Sequence, residues 1–217
     1  MKTCKQYREQ AWNALQIKWN AAALTLFFIS VIAIIFNVPS SLSDVLGWAP
    51  KITLSVSGAC ALASILLIAP LQWANENALL DVVREPNTRV FSVTWDNFKR
   101  EFAALVPSYV LVFLVILGIG AITLGIGAII FGLAYAMVPF VIHDNPDIAA
   151  VDALRTSRQI MKGHKRQLFV LYLSFIGWFL LGMITLGIAF FWIQPYIYAT
   201  LAAFYEDIRE PQIEGAI

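Results

Sequence analysis

Apolar and polar positions segregate in this chain on the scale of whole helices. Charged side chains are absent from Trp19–Ser43, Ile52–Asn75, Ala103–Ile142 and Gln167–Tyr205. The last two runs are 40 and 39 residues long. Forty helical residues extend about 60 Å, roughly twice the hydrocarbon thickness of a bilayer, so each long run divides into two crossings. Glycines mark the divisions, at Gly118–Gly125 and Gly182–Gly187. The pattern predicts an all-α polytopic membrane protein with six spans, over 21–38, 53–73, 103–119, 123–142, 167–183 and 187–205. Ser41-Leu42-Ser43 is a crude small-residue cleavage site, but the region before residue 21 is long and itself helix-patterned, so the first run reads as a span.

A second pattern repeats along the chain. Ile122-Thr123-Leu124-Gly125-Ile126 recurs 62 residues later as Ile184-Thr185-Leu186-Gly187-Ile188, both times where a turn is already required. Lys99-Arg100 and Lys165-Arg166 stand at the start of the corresponding hairpins, and Pro139 and Pro195 fall in their second helices, as Pro70 does in the first hairpin. The chain therefore reads as one membrane domain over 1–217, made of three parallel pseudo-repeats at about 1–85, 86–145 and 146–210. Each is an αα-hairpin preceded by an amphipathic helix. The first of these helices carries Tyr7, Ala11 and Leu15; the second is Val93–Phe102; the third starts at Asn145-Pro146-Asp147, with Asn145 as N-cap, and has Ile148, Val151, Leu154, Ile160 and Met161 as its apolar stripe. Two rows of small residues, Ala128/Gly132/Ala136 and Ser55/Ala59/Ala63, are placed for close helix packing.

Composition agrees with the membrane reading. The chain is 59% hydrophobic and 13% charged, against about 25% charged for a soluble domain. The net charge of +1 matters only through its placement. With six spans, 14 of the 15 Lys and Arg residues fall on one side, Lys51 being the exception. That side is expected to be the cytoplasm, with both termini there. Trp19 and Trp73 are expected at inner interfaces and Trp192 near an outer one. Cys4 and Cys60 make no disulfide framework and lack His or Cys at ligand spacing.

The candidate chemistry lies at the charged edge. Arg155, Arg158, Lys162, Lys165 and Arg166 form a basic surface suited to anionic lipid headgroups or an acidic partner. Inside the spans, polarity is limited to groups such as Gln72, Tyr135, Gln194, Tyr196 and Tyr198, with Ser108 and Ser174, all expected to bond between helices. His143, Asp144 and His164 read as solvated interface residues. No span contains a charged or imidazole side chain, which argues against ion pumps, proton-coupled carriers and intramembrane metalloenzymes. No phosphate loop, zinc signature or serine-nucleophile motif is present.

Asp144-Asn145-Pro146-Asp147-Ile148, Ala153-Leu154-Arg155-Thr156-Ser157-Arg158 and Met161-Lys162-Gly163-His164-Lys165 resemble a family, as do Leu173-Ser174-Phe175-Ile176-Gly177-Trp178, Pro195-Tyr196-Ile197-Tyr198 and Ala202-Ala203-Phe204-Tyr205-Glu206-Asp207. The resemblance is to bacterial integral membrane proteins of domain-of-unknown-function family 975, and is strongest over 144–207. Members often have a Pro-Gly turn between spans three and four, where this chain has Thr-Leu-Gly. The ending is also similar to membrane domains attached to some glycerophosphodiester phosphodiesterases. The resemblance implies a bacterial inner-membrane location and supplies no catalytic residues. The leading expectation is a non-enzymatic scaffold, accessory or regulatory protein that interacts with membrane lipids, anionic at the cytoplasmic face, without a metal, cofactor or nucleic acid. A protein partner or a homo-oligomer is compatible with the sequence. The alternative is a carrier or exporter of a small apolar or amphipathic molecule, suggested by the parallel repeats and proline-bearing helices.

Overall fold

A computed structural model describes residues 2–85, 87–123 and 126–214, which form eleven α-helices and one π-helical turn with no strand among them. Five helical segments are long and apolar enough to cross a membrane: Trp19–Leu42, Pro50–Arg84, Val90–Ala121, Gly127–Asp144 and Lys165–Ile184. The chain is thus a helical membrane protein. Leu54, Met183 and Leu186 are 76%, 70% and 93% exposed, which suits a lipid solvent.

Two prolines accompany departures from regular helix, while Pro39 and Pro107 lie inside Trp19–Val45 and Val90–Ile122 without ending them. α2 (Trp19–Val45) is followed by α3 (Pro50–Ala63), a π turn (Ser64–Ile68) and α4 (Ala69–Arg84). Pro70 has no N–H to donate, and the backbone slips to a wider register just before it, with Ala69 N–H bonding Ser64 O. Pro139 breaks the return of the second hairpin into α6 (Ile126–Tyr135) and α7 (Val138–Asp144), because its ring clashes with the carbonyl four residues back. The span expected at 167–183 is likewise two helices, α9 (Lys165–Leu173) and α10 (Ile176–Ile184), parted at Ser174, whose hydroxyl turns back to Leu171 O at 2.7 Å.

The amphipathic helices differ from expectation. α1 (Cys4–Leu15) and α8 (Ala150–Ile160) are separate elements, but Val93–Phe102 is the first part of α5 (Val90–Ile122). Nothing between Phe102 and Ala103 stops a helix, so the amphipathic stretch runs straight into the span. α1 opens with a capping box, Thr3 N–H donating to Gln6 Oε1 at 2.7 Å and Gln6 N–H to Thr3 Oγ1 at 3.4 Å. Its Tyr7/Ala11/Leu15 face is fully buried, packed by α11 (Phe190–Glu214), α4 and α9. The α8 stripe, with Leu154 and Ile160, likewise faces α5, α6 and α7, while Val151 is exposed. Both apolar stripes therefore meet protein rather than a lipid surface. Asn145-Pro146-Asp147 is not a helix start. It is a turn closed by Ile148 N–H to Asn145 O at 3.1 Å, and α8 begins only at Ala150.

α11 is the central helix. Ile193, Tyr196, Ile197, Ala199, Leu201–Tyr205 and Ile208 are buried, leaving little free face, and α1, α2, α4, α8 and α10 pack around it. It begins beside α2, Phe191 standing 5.7 Å from Phe27, far from the end of α2 at Val45. Trp19 and Trp192, expected at opposite interfaces, consequently line one groove.

The repeated motif is structurally equivalent where it can be compared. Thr123 Oγ1 donates to Ile119 O at 2.7 Å and accepts from Gly127 N–H at 2.9 Å. Thr185 Oγ1 donates to Leu181 O at 3.0 Å and accepts from Ala189 N–H at 3.1 Å. Each threonine closes one helix and starts the next. In the second copy Leu186 (φ 52°) and Gly187 (φ 92°) turn the chain, with Gly187 N–H on Gly182 O at 2.9 Å. Leu124-Gly125 of the first copy lies outside the described residues. Of the small-residue rows, Ala128/Gly132/Ala136 is half-buried, while Ser55 and Ala59 are exposed.

Candidate functional site

The expectation that His143 is solvated is overturned, while Asp144 beside it is exposed as expected. His143 is only 9% exposed and lies between two carboxylates from different helices. Its Nε2 is 2.8 Å from Asp81 Oδ1 on α4, and its Nδ1 is 2.7 Å from Glu101 Oε1 on α5. Only an imidazolium donates from both nitrogens at once. Glu101, fully buried, also accepts from Asn77 Nδ2 at 2.6 Å and Arg100 Nη2 at 2.7 Å. Asp81 accepts from Asn97 Nδ2 at 3.0 Å, and Arg100 Nη2 reaches Asn97 Oδ1 at 3.1 Å. With His143 charged, the two carboxylates and two cations cancel, which suits a site where Glu101 is fully buried and Asp81 partly so. The carboxylates meet opposite edges of the ring rather than a common point, so they do not converge as metal ligands.

The network continues through the next residue. Arg84 Nη2 bridges Glu206 Oε1 at 2.6 Å and Asp144 Oδ1 at 2.9 Å, and its Nε donates to the same Glu206 oxygen at 2.9 Å. Asp144 Oδ2 also accepts from Tyr205 OH at 2.6 Å and Arg209 Nη1 at 2.8 Å. Asp207, beside Glu206, accepts from Tyr7 OH at 2.5 Å and from Lys2 N–H at 3.3 Å, and Gln167 Nε2 donates to Tyr7 OH at 3.3 Å. One set of polar contacts thus joins α1, α4, α5, α7, α9 and α11. The available sequence signal was spacing: Asn77 and Asp81, and Asn97 and Glu101, stand four apart and so share a helix face.

This network has a pH signature at α1. Burial pushes the Asp207 carboxyl up, but the Tyr7 hydroxyl, the Lys2 N–H and the Lys2 charge outweigh it and hold it below the ordinary carboxylate range. The same burial and the same bond push the Tyr7 phenol far above its ordinary value. A depressed carboxyl stabilises the fold fully above its unfolded value and loses that contribution as pH falls through the folded one. Unfolding in detergent should therefore show α1 weakening on acidification below the ordinary aspartate range. Tyr7→Phe should cost about 1.5–3 kcal/mol at neutral pH, the worth of a hydrogen bond to a charged group, and flatten the acid dependence.

The predicted basic residues are brought together in part. Arg155, Arg158, Lys162 and Lys165 line a cavity of about 580 Å³ with Gln159 and Gly163, whereas Arg166 is exposed elsewhere. Ser157 Oγ donates to Ala134 O at 2.9 Å and holds α8 on α6, and Gly163 (φ 92°) turns the chain towards α9. Arg155 pairs with Asp152 at 3.1 Å. Arg158 lies 6.0 Å above the Phe131 ring. No ion pair engages Arg158, Lys162 or Lys165 among the described residues.

The intramembrane polar residues do not form a site. Gln72 and Gln194 are exposed. Tyr135 is buried against Phe131, and Tyr198 lies near Tyr172 and Glu76. Tyr196 is ringed by Trp12, Trp19, Phe175 and Trp178. The expected bonds between helices are not made by the serines: Ser174 bonds within its own helix, and Ser108 Oγ is buried without a partner among the described residues.

A family model described as a protein of unknown function, DUF975, matches residues 100–212. No curated protein and no solved structure matches the chain.

Proposed function

The chain belongs to DUF975, a family of proteins of unknown function, and we propose that it is a lipid-interacting accessory or scaffold protein of the bacterial inner membrane, without enzymatic activity. On this reading the hairpins α2–α3, α5–α6 and α10–α11 enter from the cytoplasmic side as three parallel repeats. A hairpin returns to the side it entered whatever its depth, so three hairpins leave both termini cytoplasmic. The matching hydrogen bonds of Thr123 and Thr185 support the repeat, and the one-sided distribution of Lys and Arg supports the orientation.

The observation that carries the proposal is the cavity between α8 and α9, where Arg158, Lys162 and Lys165 converge without a carboxylate partner. Three unneutralised cations around one opening attract a phosphate group, and each basic residue near an anionic surface contributes about 1 kcal/mol. The Asp81, Glu101 and His143 side chains bond to one another and share no residue with this surface.

Thermal unfolding in detergent tests the proposal. Phosphatidylglycerol should raise the unfolding temperature and phosphatidylcholine should not. Replacing Arg158, Lys162 and Lys165 together by Gln should weaken the lipid effect by about a hundredfold in concentration, from the loss of about 3 kcal/mol. An equal response of the triple variant rules the site out. A response to inorganic phosphate as strong as that to phosphatidylglycerol shows a soluble phosphate ligand instead.

A further inference from the structure

Three depressions run end to end along another flank, where α1, α2, α10 and α11 meet. The first, about 480 Å³, opens among Lys5, Arg8, Glu9 and Trp12. The second, about 320 Å³, is walled by Trp12, Trp19, Trp178, Trp192 and Tyr196. The third, about 360 Å³, is lined by Ala23, Leu24, Phe27, Phe191 and Trp192. Trp12 and Tyr196 belong to both the first and the second, and Trp192 to both the second and the third, so the three form one groove. Chemically the groove runs from a charged end through an indole-lined middle to an apolar end of Ala23, Leu24, Phe27 and Phe191, with Asn20 as its polar member.

We propose that this groove holds one anionic phospholipid, with its phosphate at Arg8 and Lys5 and an acyl chain along Leu24, Phe27 and Phe191. Arg8 supplies the charge complementarity. Its Nη1 is tied to Ser174 O at 3.2 Å, which fixes the guanidinium, while its Nε is buried without a hydrogen-bond partner among the described residues. A buried N–H left unbonded is costly, and a phosphate oxygen would satisfy it. Glu9 offers little competition: it pairs with Lys5 at 3.7 Å, and both side chains are largely exposed. The four indole rings occupy the middle of the groove, as they do at the headgroup–chain boundary of a bilayer. From Trp19 to Phe27 the wall follows α2 for about 12 Å, long enough for an acyl segment and continuous with the exposed apolar face beyond. A lipid matches the order of these three zones along a single molecule. The site shares no residue with the α8–α9 cavity and does not depend on it.

Native mass spectrometry after a delipidating detergent wash tests this, with phosphatidylglycerol as the added probe. Wild type should retain at least one lipid. Arg8→Gln should lower its retention by about tenfold or more, the worth of a charged hydrogen bond. Leu24→Trp, at an exposed position on the groove wall, should block the chain and lose the adduct while unfolding at the wild-type temperature. Arg158→Gln/Lys162→Gln should keep it. The proposal is overturned if wild type retains no lipid. It is also overturned if Leu24→Trp and Arg8→Gln both retain lipid as wild type does, or if the adduct disappears only in the Arg158/Lys162 variant.

Discussion

Replacing His143 by Ala is expected to destabilise the protein by about 3–5 kcal/mol, the range for removing one partner of a buried ion pair. The imidazolium is the link between Asp81 and Glu101, at 2.8 and 2.7 Å. Without it two carboxylates remain in a site where Glu101 has no exposure, and Arg100 alone cannot neutralise both. Asn97 and Asn77 still donate to them, but a neutral amide does not cancel charge. The loss should be partly recovered by adding Glu101→Gln, which removes one of the stranded charges and keeps a polar group against Asn77. A double-mutant cycle from unfolding in detergent measures this coupling. A loss below about 1 kcal/mol for the single variant would place His143 among surface ion pairs and remove it from the core.

Arg84→Ala should come next, at about 2–3 kcal/mol, the scale of charge-assisted hydrogen bonds at a partly screened position. Arg84 is a quarter exposed and touches Asp144 of α7 and Glu206 of α11, thereby tying the ends of three helices. Arg209 contacts the same two carboxylates, at 2.8 and 3.5 Å, and limits the damage. The distinguishing measurement is Arg84→Lys. A guanidinium reaches both carboxylates as a planar fork, whereas an ammonium on a flexible stem serves as a point charge. Lysine should therefore restore less than half of the loss, and a full restoration would mean that charge alone matters at this position.

Much of the fold is legible in the residues. Charge-free runs identify the membrane helices because burying even one ionised group in hydrocarbon is so unfavourable that its absence over twenty residues is informative. The threonine motif marks both turns, since a hydroxyl placed at a helix end can close one helix and open the next. Proline positions mark helix breaks at Pro139 and a register slip at Pro70. Local pattern misleads where the outcome depends on a neighbour. Asn145-Pro146-Asp147 has the composition of a helix start and of a turn alike, and the turn wins. The stripes of α1 and α8 have the amphipathicity of interfacial helices, yet α11 covers one and α5, α6 and α7 the other.

The sequence by itself determined the solvent of this protein and the approximate limits of five apolar segments long enough to cross a membrane. These are properties of a run, set by its composition. Only the tertiary structure decided that α11 is the centre and that His143 is a buried link rather than an edge residue. His143 meets carboxylates 42 and 62 positions away. Separation along the chain carries no information about such a meeting, and hydropathy counts a charge the same whether water or an opposite charge satisfies it.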